Sequence, residues 1–207
     1  MDIILSKEGV DVQGCDVLVT GFFTDERPLG GATGLIDWRL NGMVSRLLVE
    51  KKLTGEWKET TLIPSQGRVV PRMILLLGLG EVREYSYLRV RELSAHLLET
   101  LKKLDALDVC LSLPYEERYN VDCGKLAEVL IEGIADCSDL SGYSFNGEWI
   151  ERLRLFFAEG EESFFEILLG LQTAKSILEE RIQIRIFTPS EDTSSLTPPT
   201  PVSKTVS

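Results

Sequence analysis

The sequence predicts an α/β fold with a mixed, mostly parallel sheet that is covered by helices on both faces. Short apolar runs of strand length alternate with longer amphipathic segments along the chain. The amphipathic segments are long enough to form crossover helices, which are the connections that parallel strands require. The apolar runs show little alternation with polar residues, as is typical of strands buried on both sides.

Each element follows from its local pattern. Apolar runs predict strands at residues 15–23, 60–64, 73–77, 107–113, 153–157 and 182–187. Apolar residues at helical spacing predict helices at residues 32–48, 86–104, 122–135 and 161–180. One domain is therefore expected over residues 1–187. Residues 188–207 are rich in Ser, Thr and Pro and have little apolar surface, so we expect a disordered tail there.

Composition excludes several classes of protein. The net charge of −11 opposes binding to nucleic acid, which requires clustered Lys and Arg. No apolar stretch approaches the roughly 20 residues that span a bilayer, and the first residues lack the form of a secretion signal. The four cysteines are scattered without metal-binding spacing. We therefore expect a cytoplasmic protein that binds neither membranes nor nucleic acid.

Three segments carry an ordered pattern of strands and turns. The first is a strand at 17–23 that leads through a loop to a helix ending at 48. The second, 53–64, is a glycine-containing turn followed by an apolar strand, and the third, 72–80, is an apolar strand that ends at Gly78-Leu79-Gly80. In order and spacing they resemble the N-terminal domain of the cytosolic leucyl aminopeptidase family, over most of residues 1–187. The resemblance implies a macro-domain-like three-layer sandwich.

The same resemblance implies that this chain is not an enzyme. In that family the two-metal peptidase site belongs to a separate C-terminal domain with a characteristic Asn-Thr-Asp-Ala-Glu-Gly-Arg-Leu run. The nearest segment here, Ala158-Glu159-Gly160-Glu161, lacks the flanking residues. We predict no catalytic residue, no metal ligand and no cofactor. The remaining titratable groups are interpreted as structural: His96, Glu116, Glu117, Glu159, Glu161 and Glu162.

Two glycine-rich turns are candidates for binding a small ligand. Backbone N–H groups at such turns, and at the helix N-terminus that follows the first, can face an anion. The predicted ligand is a molecule that contains phosphate, such as a nucleotide or an ADP-ribose-like compound. The candidate residues are Gly30, Gly31, Thr33, Gly34, Gly78 and Gly80. Simple turns and a helix cap would use the same glycines, and that alternative stays open.

The last predicted helix carries apolar residues on two faces. One stripe contains Phe164, Ile167 and Leu171. Phe165 and Leu169 project to a second side, about 100° away at the helical rotation per residue. Such a helix either lies within a thick core or contacts another chain, and both alternatives stay open.

These observations predict a stand-alone, non-catalytic homologue of the aminopeptidase N-terminal domain that acts in protein binding or assembly. Its partner would be a second copy of itself or a full-length aminopeptidase. The first alternative is a module that binds a phosphate-containing ligand through the glycine turns. The second alternative is an accessory component of a metallo-aminopeptidase.

Overall fold

A computed structural model describes residues 1–139 and 147–189. Its strands are β1 (Asp2–Ser6), β2 (Val17–Phe22), β3 (Thr60–Pro64), β4 (Met73–Gly78), β5 (Asp108–Ser112), β6 (Arg154–Ala158) and β7 (Arg185–Phe187). Its helices are α1 (Gly31–Arg39), α2 (Met43–Val49), α3 (Tyr87–Lys103), α4 (Cys123–Asp139), α5 (Gly147–Arg152) and α6 (Gly160–Leu178).

The described strands form one seven-stranded sheet in the order β3-β4-β2-β5-β6-β1-β7. Only β3 is antiparallel to its neighbour, and the other pairs are parallel. The mixed, mostly parallel sheet expected from the sequence is therefore confirmed. Because the parallel strands share one direction, their carboxyl ends lie at one edge of the sheet, where α/β folds commonly bind ligands.

Helices cover both faces of the sheet. Alternate residues of β2 point to opposite sides, so that Val17 and Val19 pack with α3, α4 and α6, whereas Leu18 and Phe22 pack with α1 and α2. Parallel strands buried on both faces account for the nearly unbroken apolar runs in the sequence.

Two glycines bring α4 and α6 into close contact. A Cβ atom built on Gly170 would lie 2.0 Å from the carbonyl oxygen of Gly124, and one built on Gly124 would lie 2.5 Å from the carbonyl oxygen of Glu166. The two backbones therefore touch, which only glycine permits. This contact sets the position of α6, whose first turns border the candidate site.

The single helix predicted over residues 32–48 is wrong, because two helices occupy this segment. Asn41 and Gly42 adopt positive φ angles of 57° and 72°, and this left-handed backbone ends α1 before α2 begins at Met43. The apolar spacing continues across the break since both helices pack on the same face of the sheet.

Two described elements were not predicted. β1 is an interior strand between β6 and β7, with Ile3 and Leu5 buried. α5 has only six residues, too few to show a helical period. The other predicted elements are present, with ends displaced by a few residues. Of the predicted tail, residues 190–207 lie outside the described residues.

Candidate functional site

A cleft of about 540 Å³ lies at the carboxyl edge of the parallel strands. Four connections line it, and each follows a different parallel strand. They contribute Gly9 and Val10 after β1, Gly31, Ala32 and Leu35 after β2, residues 112–116 at the end of β5, and residues 158–163 at the turn from β6 to α6. The topology of the sheet thus assembles the cleft from segments that are distant in sequence.

The turn from β6 to α6 depends on Gly160. This residue has a φ of +79°, in the left-handed region that favours glycine, and a Cβ atom there would meet no other atom within 4 Å. The reversal places Glu159 at the end of the strand and Glu161, Glu162 and Ser163 in the first turn of α6. All four side chains border the cleft.

Among the acids of the cleft, Glu159 has the pKa that is shifted most from its ordinary value. Tyr115 donates its hydroxyl to Glu159 Oε2 over 3.1 Å, and Ser163 is in turn hydrogen-bonded to the Tyr115 hydroxyl at 3.1 Å. Burial raises the pKa of Glu159 to about 7, against the opposing effect of hydrogen bonds from Ser112 and Tyr115. This carboxyl group therefore titrates near neutral pH.

The same surroundings raise the pKa of the Tyr115 hydroxyl, chiefly by burial and then by the nearby carboxylate of Glu159. Tyr115 thus remains a neutral hydrogen-bond donor throughout the range in which Glu159 titrates. From the sequence, Glu159 is expected to be a structural acid at a helix start. Its position in the cleft depends on long-range packing that local sequence does not reveal.

The cleft is acidic throughout. Its charged lining residues are Glu116, Glu159, Glu161 and Glu162, and no Lys or Arg is among the lining residues that the structure describes. Two basic residues approach from the rim: Lys7 lies 3.5 Å from Glu161, and Arg118 lies 2.9 Å from Glu116. A phosphate group in the cleft would therefore face a predominantly negative field.

The first glycine turn reaches the cleft at one point. Gly31 lines it, whereas Gly30 packs against Arg118 and Tyr119, and Gly34 packs against the carbonyl of Leu29. Thr33 is buried, and its hydroxyl donates to the carbonyl oxygen of Gly21 over 2.6 Å. Three of these four candidate residues thus have contacts within the fold.

The second glycine turn lies outside the cleft lining. A Cβ atom on Gly78 would lie 2.0 Å from the carbonyl oxygen of Glu56, so close backbone packing requires glycine there. The N–H of Gly80 donates to the carbonyl of Gly55 over 2.9 Å. The structure therefore does not bring Gly78 and Gly80 together with Gly31, and ligand binding at the second turn stays a prediction.

α6 exposes the two residues predicted to form an interface. Phe165 is 75% exposed and Leu169 is 66% exposed, one helical turn apart. The other stripe of the helix, which includes Phe164, Ile167 and Leu171, is buried against the core. We call Phe165 and Leu169 the apolar pair. Burial in a thick core, one of the two alternatives for this face, does not occur within the described chain.

His96, the only histidine, lies away from the cleft. It is half-buried on α3, and its Nε2 atom is 2.6 Å from the hydroxyl of Thr60 in β3. Burial lowers its pKa, with a further contribution from Lys58. This side chain therefore joins a helix to an edge strand, as its structural interpretation expects.

Neither a metal centre nor a membrane span is found in residues 1–139 and 147–189. No group of three or more His, Cys, Asp or Glu side chains there is placed to hold a metal ion. None of the helices in these ranges is long and apolar enough to cross a bilayer.

Comparison with known proteins identifies a relative that aligns with nearly the whole chain. A probable cytosol aminopeptidase of Alkaliphilus oremlandii (strain OhILAs) is 24% identical over 207 residues, which covers 96% of this chain and 40% of that protein. The chain thus spans less than half the length of this curated relative.

Solved structures show the same fold. A mutant of tomato leucine aminopeptidase aligns with a TM-score of 0.59 at 16% identity, covering 86% of this chain and 37% of that one. A Trypanosoma brucei macrodomain in complex with ADP aligns with a TM-score of 0.58 at 16% identity, covering 81% of this chain and 68% of that one. The macro-domain-like sandwich expected from the resemblance is confirmed.

The description of the matching family model is "Cytosol aminopeptidase family, N-terminal domain", and the match covers residues 19–146. This span is more than half of the 207-residue chain. It contains all three segments on which the resemblance rests except for the first residues of the first strand. The protein therefore belongs to the cytosol aminopeptidase family, through that family's N-terminal domain.

Proposed function

We propose that this chain acts without catalysis, as a protein-binding or assembly module related to the cytosol aminopeptidases. The observation that carries the proposal is the apolar pair, Phe165 and Leu169, which is exposed on a helix whose other face is already buried. Adjacent large apolar side chains on a rigid helix are typical anchors of protein interfaces. The partner is a second copy of the chain or a full-length aminopeptidase, and we place both in the cytoplasm.

The site chemistry supports a role without catalysis. A two-metal hydrolase needs several carboxylate, histidine or similar ligands that converge on one cavity. The described residues contain no such group. Of the acids of the cleft, Glu159 accepts a hydrogen bond from a hydroxyl group, and Glu161 and Glu116 form ion pairs at the rim. The curated relative named as an aminopeptidase extends well beyond the region that this chain covers.

The double substitution Phe165→Glu with Leu169→Glu tests the proposal. We expect the unmodified chain to form a complex, with itself or with a full-length aminopeptidase from the same cell, and the variant to weaken that complex about 100-fold because two anchors are lost. Light scattering after size-exclusion chromatography measures the mass of each species. Circular dichroism should stay unchanged, since both side chains point to solvent.

A matched control uses exposed apolar residues elsewhere. Leu88 on α3 and Val49 on α2 are 67% and 83% exposed, and Leu88→Glu with Val49→Glu introduces the same two charges. This variant should retain the complex. Equal losses in both variants, or unfolding of the α6 variant, would contradict a specific interface on α6.

A hydrolysis assay tests the alternative of an aminopeptidase component. We expect the purified chain not to hydrolyse leucine p-nitroanilide in the presence of zinc or manganese, because no described donor group is placed to hold the metal ions. Turnover that is abolished by a chelator would refute a role without catalysis.

The second candidate function is binding of a phosphate-containing small ligand. The cleft favours ligand binding, because a volume of about 540 Å³ at the carboxyl edge of the parallel strands suits a small molecule. The Trypanosoma brucei macrodomain complex with ADP lends support at the level of fold. The acidic lining opposes it, so we rank it second. A melting temperature that rises with ADP concentration would reverse this order.

A further inference from the structure

A second cavity borders the cleft at Tyr115. This cavity has a volume of about 440 Å³ and shares Tyr115, Glu116 and Ser163 with the cleft. Asp122 and Glu166 are among its other lining residues. We call the two cavities together the acidic groove. An occupant that fills both must be elongated, which fits a segment of polypeptide better than a compact metabolite.

All charged side chains that line the acidic groove in the described part of the chain are acidic. They are Glu116, Asp122, Glu159, Glu161, Glu162 and Glu166. The hydrogen bonds to Glu159 come from hydroxyl groups, and that to Glu166 comes from the thiol of Cys123 at 3.0 Å. Neither contact supplies a positive charge, and Glu159, with a pKa of about 7, is ionised above neutral pH. At the rim, Lys7 and Arg118 offset only the charges of Glu161 and Glu116. The groove therefore presents a negative potential that a cationic occupant would offset.

The apolar pair adjoins the acidic groove on the surface of α6. Glu161 and Glu162 precede Phe165 by four and three residues, so they lie beside it on the helix. Glu166 likewise precedes Leu169 by three residues and lies beside it. One continuous surface thus combines two exposed apolar anchors with carboxylates along one side. The positive end of the α6 dipole accounts for Glu161 and Glu162, but not for Glu116, Glu159 or Glu166.

We propose that the acidic groove and the apolar pair together dock a basic amphipathic segment of a partner protein. The inference rests on the protein-binding role proposed above and narrows the chemistry of the partner. Apolar side chains of the segment pack on Phe165 and Leu169, while its Lys or Arg side chains enter the groove towards Glu159 and Glu162. A second copy of this chain is disfavoured as the occupant because its net charge is also −11.

The test uses two fluorescent synthetic peptides. One contains Leu at helical spacing and Lys at all the remaining positions. Its counterpart has Glu in place of each Lys. Fluorescence anisotropy measures binding at low and at high ionic strength. We expect the basic peptide to bind, more weakly as salt is added, and the acidic peptide not to bind.

Variants then locate the binding surface. Glu159→Gln with Glu162→Gln should raise the Kd of the basic peptide about tenfold, and Phe165→Glu with Leu169→Glu should also weaken binding. At about pH 8.5, where Glu159 is ionised, Glu179→Gln with Glu180→Gln removes the same charge at the far end of α6 and should change the Kd less than about twofold. Circular dichroism confirms that each variant is folded.

The outcomes separate this inference from the proposed function. Equal weakening by both Glu→Gln pairs, or equal binding of the two peptides, would overturn the basic-segment inference. If the basic peptide fails to bind while the apolar-pair variant still disrupts a larger complex, the inference fails and the protein-binding function stands. A dimer of this chain that is disrupted by the groove variant, without peptide binding, would identify a second copy as the occupant and refute the inference.

Discussion

The Glu159→Gln variant is expected to be more stable than the unmodified protein above pH 7, by up to about 3 kcal/mol. The folded protein holds the pKa of Glu159 at about 7, above its ordinary value of 4.5, because burial disfavours the charged form. Below pH 4.5 the carboxyl group is neutral in both the folded and the unfolded protein, so its burial costs no charge. As the pH rises towards 7, the unfolded protein releases the proton first, and the free energy of unfolding falls. Gln stays neutral at every pH.

Urea unfolding of both proteins at several pH values between 4.5 and 8.5 measures this effect. The difference in the free energy of unfolding should be small at the acidic end, grow through neutral pH and then level off. Glu162→Gln is the matched control. Its side chain is exposed in the same turn, so its effect should stay within about 0.5 kcal/mol at all pH values. A constant difference for Glu159→Gln would contradict the raised pKa.

Substitution of Gly170 by Val is expected to lower the free energy of unfolding by about 3 kcal/mol. The Cβ atom would lie 2.0 Å from the carbonyl oxygen of Gly124, and this backbone atom cannot move away as a flexible side chain would. α4 and α6 must therefore separate. Since α6 carries part of the cleft and the apolar pair, the variant should also weaken any complex that depends on them.

Thr173→Val is the control for this substitution. It places the same β-branched residue at an exposed position one turn further along α6, where only the hydrogen bond of its hydroxyl to the carbonyl of Leu169 is lost. Thermal or urea unfolding should show a change below about 1 kcal/mol. Similar losses in both variants would contradict contact between α4 and α6 as the source of the cost, since Thr and Val have nearly equal helix propensities.

Most of the fold follows from local patterns because buried parallel strands have a distinctive composition. β2 and β4 are apolar along their length since helices cover both of their faces, and α3 has one clear apolar stripe. Two errors have physical causes. The break at Asn41 and Gly42 depends on backbone conformation, which periodicity does not register. β1 has only five residues, and partners at 154–158 and 185–187 make it an interior strand.

The candidate site was predicted less completely than the fold. The glycines after β2 were identified, but only Gly31 of the four candidate residues there lines the cleft. Glu159 was interpreted as a structural acid, because an acid next to a helix start commonly supports the helix dipole. Its pKa is raised by burial in the folded protein, against hydrogen bonds from Ser112 and Tyr115, which lie more than forty residues away in sequence. The exposed apolar pair was the clearest signal, since helical spacing alone separates Phe165 and Leu169 from the buried stripe.

The sequence by itself determined the class of fold, the family and the two-faced character of α6. These properties depend on short-range spacing and on the order of motifs, so they can be predicted without knowledge of long-range contacts. Only the tertiary structure decided which residues share the cleft, because four separate connections meet where parallel strands end. It also decided the charge of that cleft, since acids from the turn after β6, from α6 and from the segment after β5 become neighbours only when the sheet has formed.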